Sequence, residues 1–158
     1  MQIEHTQLEA LLDAHIQKSQ KVFVYKPNVE ANLVNSQVVF KPTWSWWAFF
    51  GGWAFFLYRK MYLMAAVFFL LGFVATLIPL GNLILAIVSG VSGFYFYTKK
   101  FYEDLQIAQY GQRPIEEVKQ TLKYLGGYHT WVVVLAVIYY LFWAIFALPI
   151  ILATLAIQ

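Results

Sequence analysis

From Met61 to Thr98 the chain runs for 38 residues without a charged side chain, and from Trp131 to Gln158 for another 28. A helix that crosses a bilayer needs about 20 apolar residues, so both stretches are long enough. Ile78-Pro79-Leu80-Gly81-Asn82 divides the first, with Pro and Gly placed for a tight turn. At about 1.5 Å per residue an undivided helix would far exceed one bilayer. Two spans, 61–79 and 82–98, joined as a hairpin are therefore expected. The second stretch predicts one span, 131–156, with a kink at Pro149, which removes the bond to the carbonyl of Ile145. Composition agrees: 61% of the residues are hydrophobic and 12% charged, against about 25% charged in a soluble domain.

Ahead of the hairpin lies Trp44–Tyr58, in which nine of fifteen residues are aromatic, followed by Arg59 and Lys60. Trp and Tyr favour the membrane–water interface, and Lys and Arg fix the cytoplasmic side. Trp44, Trp46, Trp47, Trp53, Tyr58, Arg59 and Lys60 are thus candidate contacts for lipid headgroups or a partner helix; the plainer reading is an aromatic anchor that positions the hairpin. Fifteen helical residues reach only about 22 Å, short of the roughly 30 Å hydrocarbon core, and Gly51-Gly52 weakens the middle. If this stretch lies in the interface or re-enters, all eleven Lys and Arg share one face. If it spans, Lys18, Lys21, Lys26 and Lys41 move outside. The positive-inside rule favours the first arrangement, with a cytoplasmic N-terminus.

The charged segments predict helices. Thr6-Gln-Leu-Glu9 fits a capping box, and Leu8, Leu11, Leu12 and Ile16 follow at helical spacing, so 6–19 reads as an amphipathic helix. The chain is expected to turn at Lys26-Pro27-Asn28, and Val22–Tyr25 and Val38–Phe40 are β-prone. The second span is expected to continue to about Tyr110, supported by the pairs Lys99/Glu103 and Lys100/Asp104 and capped by Gly111. A further helix starts at Pro114, has Glu116 and Glu117 in its first turn and ends at Gly126-Gly127. Its apolar face carries Ile115, Val118, Leu122 and Leu125.

Site chemistry is sparse. No cysteine is present, which excludes disulfides and thiolate chemistry. The polar N-terminus has no apolar h-region, so no cleavable signal peptide is expected. No dense Lys/Arg run argues for nucleic acid. All eight acids lie outside the expected spans, whereas transporters keep ionisable groups at membrane depth. Glu103-Asp104 and Glu116-Glu117 read as solvated helix positions, since adjacent helical residues do not face each other. His5, His15 and His129 are isolated in sequence, with no metal-binding spacing. No catalytic, cofactor-binding or metal residue is assigned. Ala86, Ser89, Gly90 and Gly93 form a small-residue face for close helix packing. It is expected to meet span 61–79 within the monomer, the alternative being a homo-oligomer contact.

The residues Trp46, Ala48, Phe49, Phe50, Gly51, Trp53, Leu57, Tyr58, Arg59, Lys60 and Met61, followed by an apolar hairpin, resemble a bacterial family of small membrane proteins called domain of unknown function 2628. The glycine-containing, aromatic segment Gly90–Lys100 is also similar, and the resemblance covers about residues 42–105. Gly52 departs from the proline expected there in many members, which implies a looser bend. The resemblance implies a multi-pass protein of the bacterial cytoplasmic (inner) membrane and supplies no activity, substrate or site.

The expected class is all-α and multi-pass: three transmembrane helices, an aromatic interfacial or re-entrant helix, and short cytoplasmic amphipathic helices. Residues 1–43 form a cytoplasmic N-terminal segment with an amphipathic helix, 44–60 the aromatic helix and 61–98 the hairpin. Residues 99–130 form a cytoplasmic helical segment and 131–157 the C-terminal span. The expected role is a non-enzymatic scaffold or regulator of a membrane partner, in contact with the lipid bilayer, including anionic lipids, and with a protein partner. The alternative is an oligomeric passive channel or small-solute permease lined by Thr76, Asn82, Ser89, Ser92 and Thr154.

Overall fold

The computed structural model describes residues 3, 5–35 and 37–155, and the side chains of these except 5 and 146–155. Among the described residues it is mostly helical, with eight helices and one short β-hairpin. Helix α1 (His5–Ile16) buries Leu8, Leu11, Leu12 and Ile16. It starts at His5, which puts Thr6 inside the helix rather than at its cap. It also stops earlier than the spacing predicts, because Gln17 takes a left-handed conformation, φ 55°.

The second helix is the largest departure. Instead of a strand at Val22–Tyr25 and a turn at Lys26-Pro27-Asn28, α2 runs unbroken over Ser19–Asn32. Val22, Tyr25, Val29 and Asn32 are buried at helical spacing, against α1 and α6 (Gly81–Ile107). That burial outweighs the weak β preference of the valines. Pro27 costs the helix one backbone bond. Nearby, Asn28 donates to the Val24 carbonyl at 2.7 Å and Asn32 to the Asn28 carbonyl at 2.8 Å. A two-residue antiparallel ladder, β1 (Leu33–Val34) with β2 (Gln37–Val38), follows, so only Val38 of the β-prone stretch Val38–Phe40 is in a strand.

The aromatic stretch forms two helices of six residues each, α3 (Trp46–Gly51) and α4 (Trp53–Tyr58), broken at Gly52 with φ 47°. Each is about 9 Å long. Ser45 caps α3, its hydroxyl accepting from the Ala48 N–H at 3.2 Å. Then come α5 (Tyr62–Ala75), α6, α7 (Ile115–Leu125) and α8 (Trp131–Leu155).

The expected span 61–79 shortens to the 14 residues of α5, about 21 Å. Its end tightens instead of extending: the Leu77 N–H bonds to the Val74 carbonyl at 3.1 Å and that of Ile78 to Ala75 at 3.2 Å. Leu80 then turns the chain at φ 60°. Glycine is required at 81, where a Cβ would lie 2.3 Å from the Ala75 carbonyl oxygen. Helix α6 has 27 residues, about 40 Å. Among the described residues it is the one helix both long and apolar enough to cross a membrane. Helix α8 covers 25 residues and runs through Pro149, with side chains described to Ile145; the expected kink there lies among residues whose side chains are not described.

The helix α6 organises two ends. Around its C-terminal half pack α2 and α7, with α1 laid on both and reaching α6 through His15, a cap whose core includes Leu12, Phe101, Leu105, Val118 and Leu122. Around its N-terminal half pack α3 and α5, with α4 on α5 and α8 on α4. This end exposes large apolar side chains, among them Leu63, Leu70, Leu77 and Leu80 at 63–83% and Val134, Ile138 and Ile145 at 61–68%.

Candidate functional site

Position 15 continues the apolar face of α1, one helical step beyond Leu8, Leu11 and Leu12. His15 is therefore carried into the core, where the rings of Tyr97 and Phe101 meet it edge-on. Its Nε2 lies 2.7 Å from the Asp104 carboxylate and its Nδ1 2.8 Å from the Tyr97 hydroxyl. An ionised carboxylate only accepts, so Nε2–H donates to Asp104, and a neutral ring then accepts the Tyr97 O–H at Nδ1. Lys100, one turn before Asp104, closes the cluster with an ion pair of 2.6 Å. Lys99 and Glu103 form no such pair.

Burial pushes the His15 ring below its ordinary value of 6.5, and Lys100 and Arg59 add to this against the opposing pull of Asp104. A depressed value means that the unfolded chain takes up the proton first. The contribution of neutral His15 to stability is present above about pH 6.5 and declines as pH falls below it. Thermal unfolding of the purified protein should show losses of up to ~1.4 kcal/mol per pH unit. His15→Gln, which keeps one donor and one acceptor, is expected to flatten that slope; an equally steep slope in the variant would reject the assignment.

Beside this cluster sits Arg59, only 5% exposed. Its Nε donates to the Tyr25 hydroxyl at 2.9 Å and a terminal nitrogen to the Ile16 carbonyl at 3.3 Å. Its guanidinium lies over the Tyr25 ring, 4.7 Å from the centroid. Among the described residues no carboxylate lies within 4 Å of it. The sequence makes Arg59 a candidate contact at the membrane interface; in the structure it is buried, and Tyr25 of α2 supplies it with a hydroxyl and a ring face.

Arg59 lines a cleft of about 570 Å³ between α2, the α3–α4 elbow and α8. Lys18, Lys21 and Tyr58 also line it, and Val133, Ala136 and Val137 form its α8 wall. Among the described residues no carboxylate lines it. Lys18 donates to the Tyr58 hydroxyl at 2.8 Å and lies 4.2 Å from the Tyr128 ring centroid. Lys21 sits 5.6 Å from the Trp47 ring.

The other expected contacts separate. Trp46 and Trp47 are exposed, at 62% and 70%. Trp44 packs on Gly90, and Trp53 on Phe69 and Tyr139. Tyr58 stacks on Tyr128, and Lys60 reaches the Tyr124 carbonyl at 3.4 Å. His129 bonds to the Tyr62 hydroxyl at 2.7 Å. The small-residue face meets α3, not span 61–79. A Cβ on Gly93 would come within 2.6 Å of Ala48 Cβ, Ser89 donates to the Ala48 carbonyl at 2.7 Å, and the Ser45 N–H to the Gly90 carbonyl at 2.9 Å. Helix α3 therefore covers Ser89, Gly90 and Gly93, where a second copy would have docked; Ala86, on the same face, stays partly exposed. Among the described residues no three His, Asp or Glu are grouped to hold a metal ion.

No protein-family model, no curated protein and no solved structure matches the chain.

Proposed function

We propose that the protein is a multi-pass membrane protein without a reaction of its own, which holds its helical cap at the cytoplasmic face as a scaffold or regulator for a membrane partner. The observation that carries this reading is the contrast between its two ends. The α5–α6 hairpin and α8 expose large apolar side chains over a surface that has no charge from Met61 to Thr98 or after Trp131. Soluble monomers rarely expose contiguous apolar patches beyond a few hundred Å², whereas lipid makes such a surface cheap. Every Lys and Arg belongs to the cap or to the segments that lead into it.

In this reading α6 and α8 cross the bilayer, α5 crosses only together with the tightened apolar turn 76–80 that continues it, and α3–α4 re-enters from the cap side. The Gly51 carbonyl at its elbow accepts from Tyr140, nine residues into α8, at 3.2 Å. The resemblance to domain of unknown function 2628 points the same way, toward a bacterial inner membrane. A non-enzymatic role is supported by the way His15, Asp104 and Lys100 satisfy one another in the core and stay out of the cleft. A channel draws less support. The hydroxyls of Thr76, Ser89 and Ser92 are taken up by carbonyls within the fold.

Alkaline carbonate should leave the chain in the membrane pellet, and mild-detergent purification should recover a stoichiometric partner. Release into the supernatant would overturn the membrane reading. Repeated recovery of the chain alone from native membranes would overturn the scaffold.

A further inference from the structure

We infer that the cleft between α2, the α3–α4 elbow and α8 binds one anionic phospholipid of the surrounding bilayer, its phosphate against Lys18, Lys21 and Arg59 and an acyl chain along α8. This rests on the membrane reading above. Three observations carry it.

The first is charge. A buried cation costs several kcal/mol unless paired. Arg59 is almost fully buried with two neutral oxygen partners and, among the described residues, no carboxylate within reach. Lys18 and Lys21 line the same cleft and form no ion pair there either. A cleft lined by three cations and, among the described residues, no acid is complementary to an anion with several oxygens, and guanidinium suits phosphate geometry.

The second is shape and lining. A volume of about 570 Å³ falls within the ~300–1,000 Å³ of ligand sites. Apart from the cationic residues the walls are mainly apolar, and Ala54, Phe55, Phe94 and Val132 form part of them. Such a lining fits hydrocarbon and would gain nothing from a free inorganic anion.

The third is continuity and depth. Val133 and Val137 belong both to the cleft and to the exposed apolar surface, at 54% and 51%. A chain in the cleft can therefore run on into bulk lipid. The His129 N–H bonds to the Tyr58 carbonyl at 3.0 Å and Lys18 lies over the Tyr128 ring, so Arg59 and Lys18 stand level with the start of α8. There Tyr58, Tyr128 and Trp131 gather, at the depth where headgroups lie.

The test is native mass spectrometry of the detergent-purified chain, titrated separately with phosphatidylglycerol and phosphatidylcholine. One phosphatidylglycerol should be retained in preference. Lys18→Gln with Lys21→Gln, both outside the buried core, should weaken it about thirtyfold, from ~1 kcal/mol per cation. Ala136→Phe, which fills the α8 wall, should weaken both lipids, with circular dichroism checking that the fold is kept. Equal retention of the two lipids, or no change in the double variant, would overturn the inference and leave the membrane reading standing. Release of the chain by alkaline carbonate would remove both.

Discussion

Replacing Asp104 with leucine is expected to lower the unfolding free energy by about 3–5 kcal/mol, the cost of breaking a buried ion pair from one side. Asp104 holds two partners at once, the His15 Nε2–H at 2.7 Å and the Lys100 ammonium at 2.6 Å, with its side chain 7% exposed. Leucine leaves a buried donor and a largely buried cation without their acceptor. The effect reaches across the cap, because His15 belongs to α1 and Asp104 to α6. Asp104→Asn keeps an acceptor and loses the charge, so about 1.5–3 kcal/mol is expected. Denaturant unfolding followed by far-UV circular dichroism measures both. A leucine variant as stable as the parent would mean that α1 is held by its leucines alone.

The second large effect is expected at Gly93. Gly93→Leu drives a branched side chain into Ala48, where even a Cβ finds only 2.6 Å. Overpacking of this kind costs about 1–3 kcal/mol. Pushing α3 away also endangers the Ser89–Ala48 and Ser45–Gly90 bonds, each worth about 1 kcal/mol. A loss of about 3 kcal/mol or more should appear, with faster proteolysis in the 41–52 segment. Gly72→Ala supplies the control. It lies in the interior of α5, and a Cβ there meets no heavy atom within 4 Å, so this variant should be neutral or more stable by up to ~1 kcal/mol. If both glycines tolerate replacement equally, the docking of α3 on α6 is wrong.

Much of the helix plan is legible in the chain. The charge-free runs, the Pro79–Gly81 turn and the Pro114 and Gly126 punctuation lie where α5 to α8 begin and end, because these signals are local. What fails is what depends on distant partners. α2 looks β-prone at Val22–Tyr25 until α1 and α6 bury that face. Asp104 and His15 are 89 positions apart, and no spacing rule links them, although each continues an apolar helical face, 8-11-12-15 on α1 and 97-101-104 on α6. Arg59 looks like an interface cation because its neighbours are aromatic; its burial depends on Tyr25 and the Ile16 carbonyl, 34 and 43 positions away. The glycine face of α6 announces a close contact and does not say with which helix.

The most direct test of a membrane protein with its cap on one side is cysteine labelling, which the absence of native cysteine makes clean. Gln20, Asn82 and Gln112 are exposed, and single cysteines at these positions report the cap, the hairpin turn and the α6–α7 loop. Asn82 is preferred to Gly81, which has no room for a side chain. A membrane-impermeant maleimide applied to whole cells is expected to label Asn82→Cys and to leave Gln20→Cys and Gln112→Cys unlabelled until the membrane is opened. Labelling of Gln20→Cys from outside would mean that 44–58 crosses the bilayer. Asn82→Cys and Gln112→Cys reacting from the same side would mean that the α5–α6 hairpin does not span it.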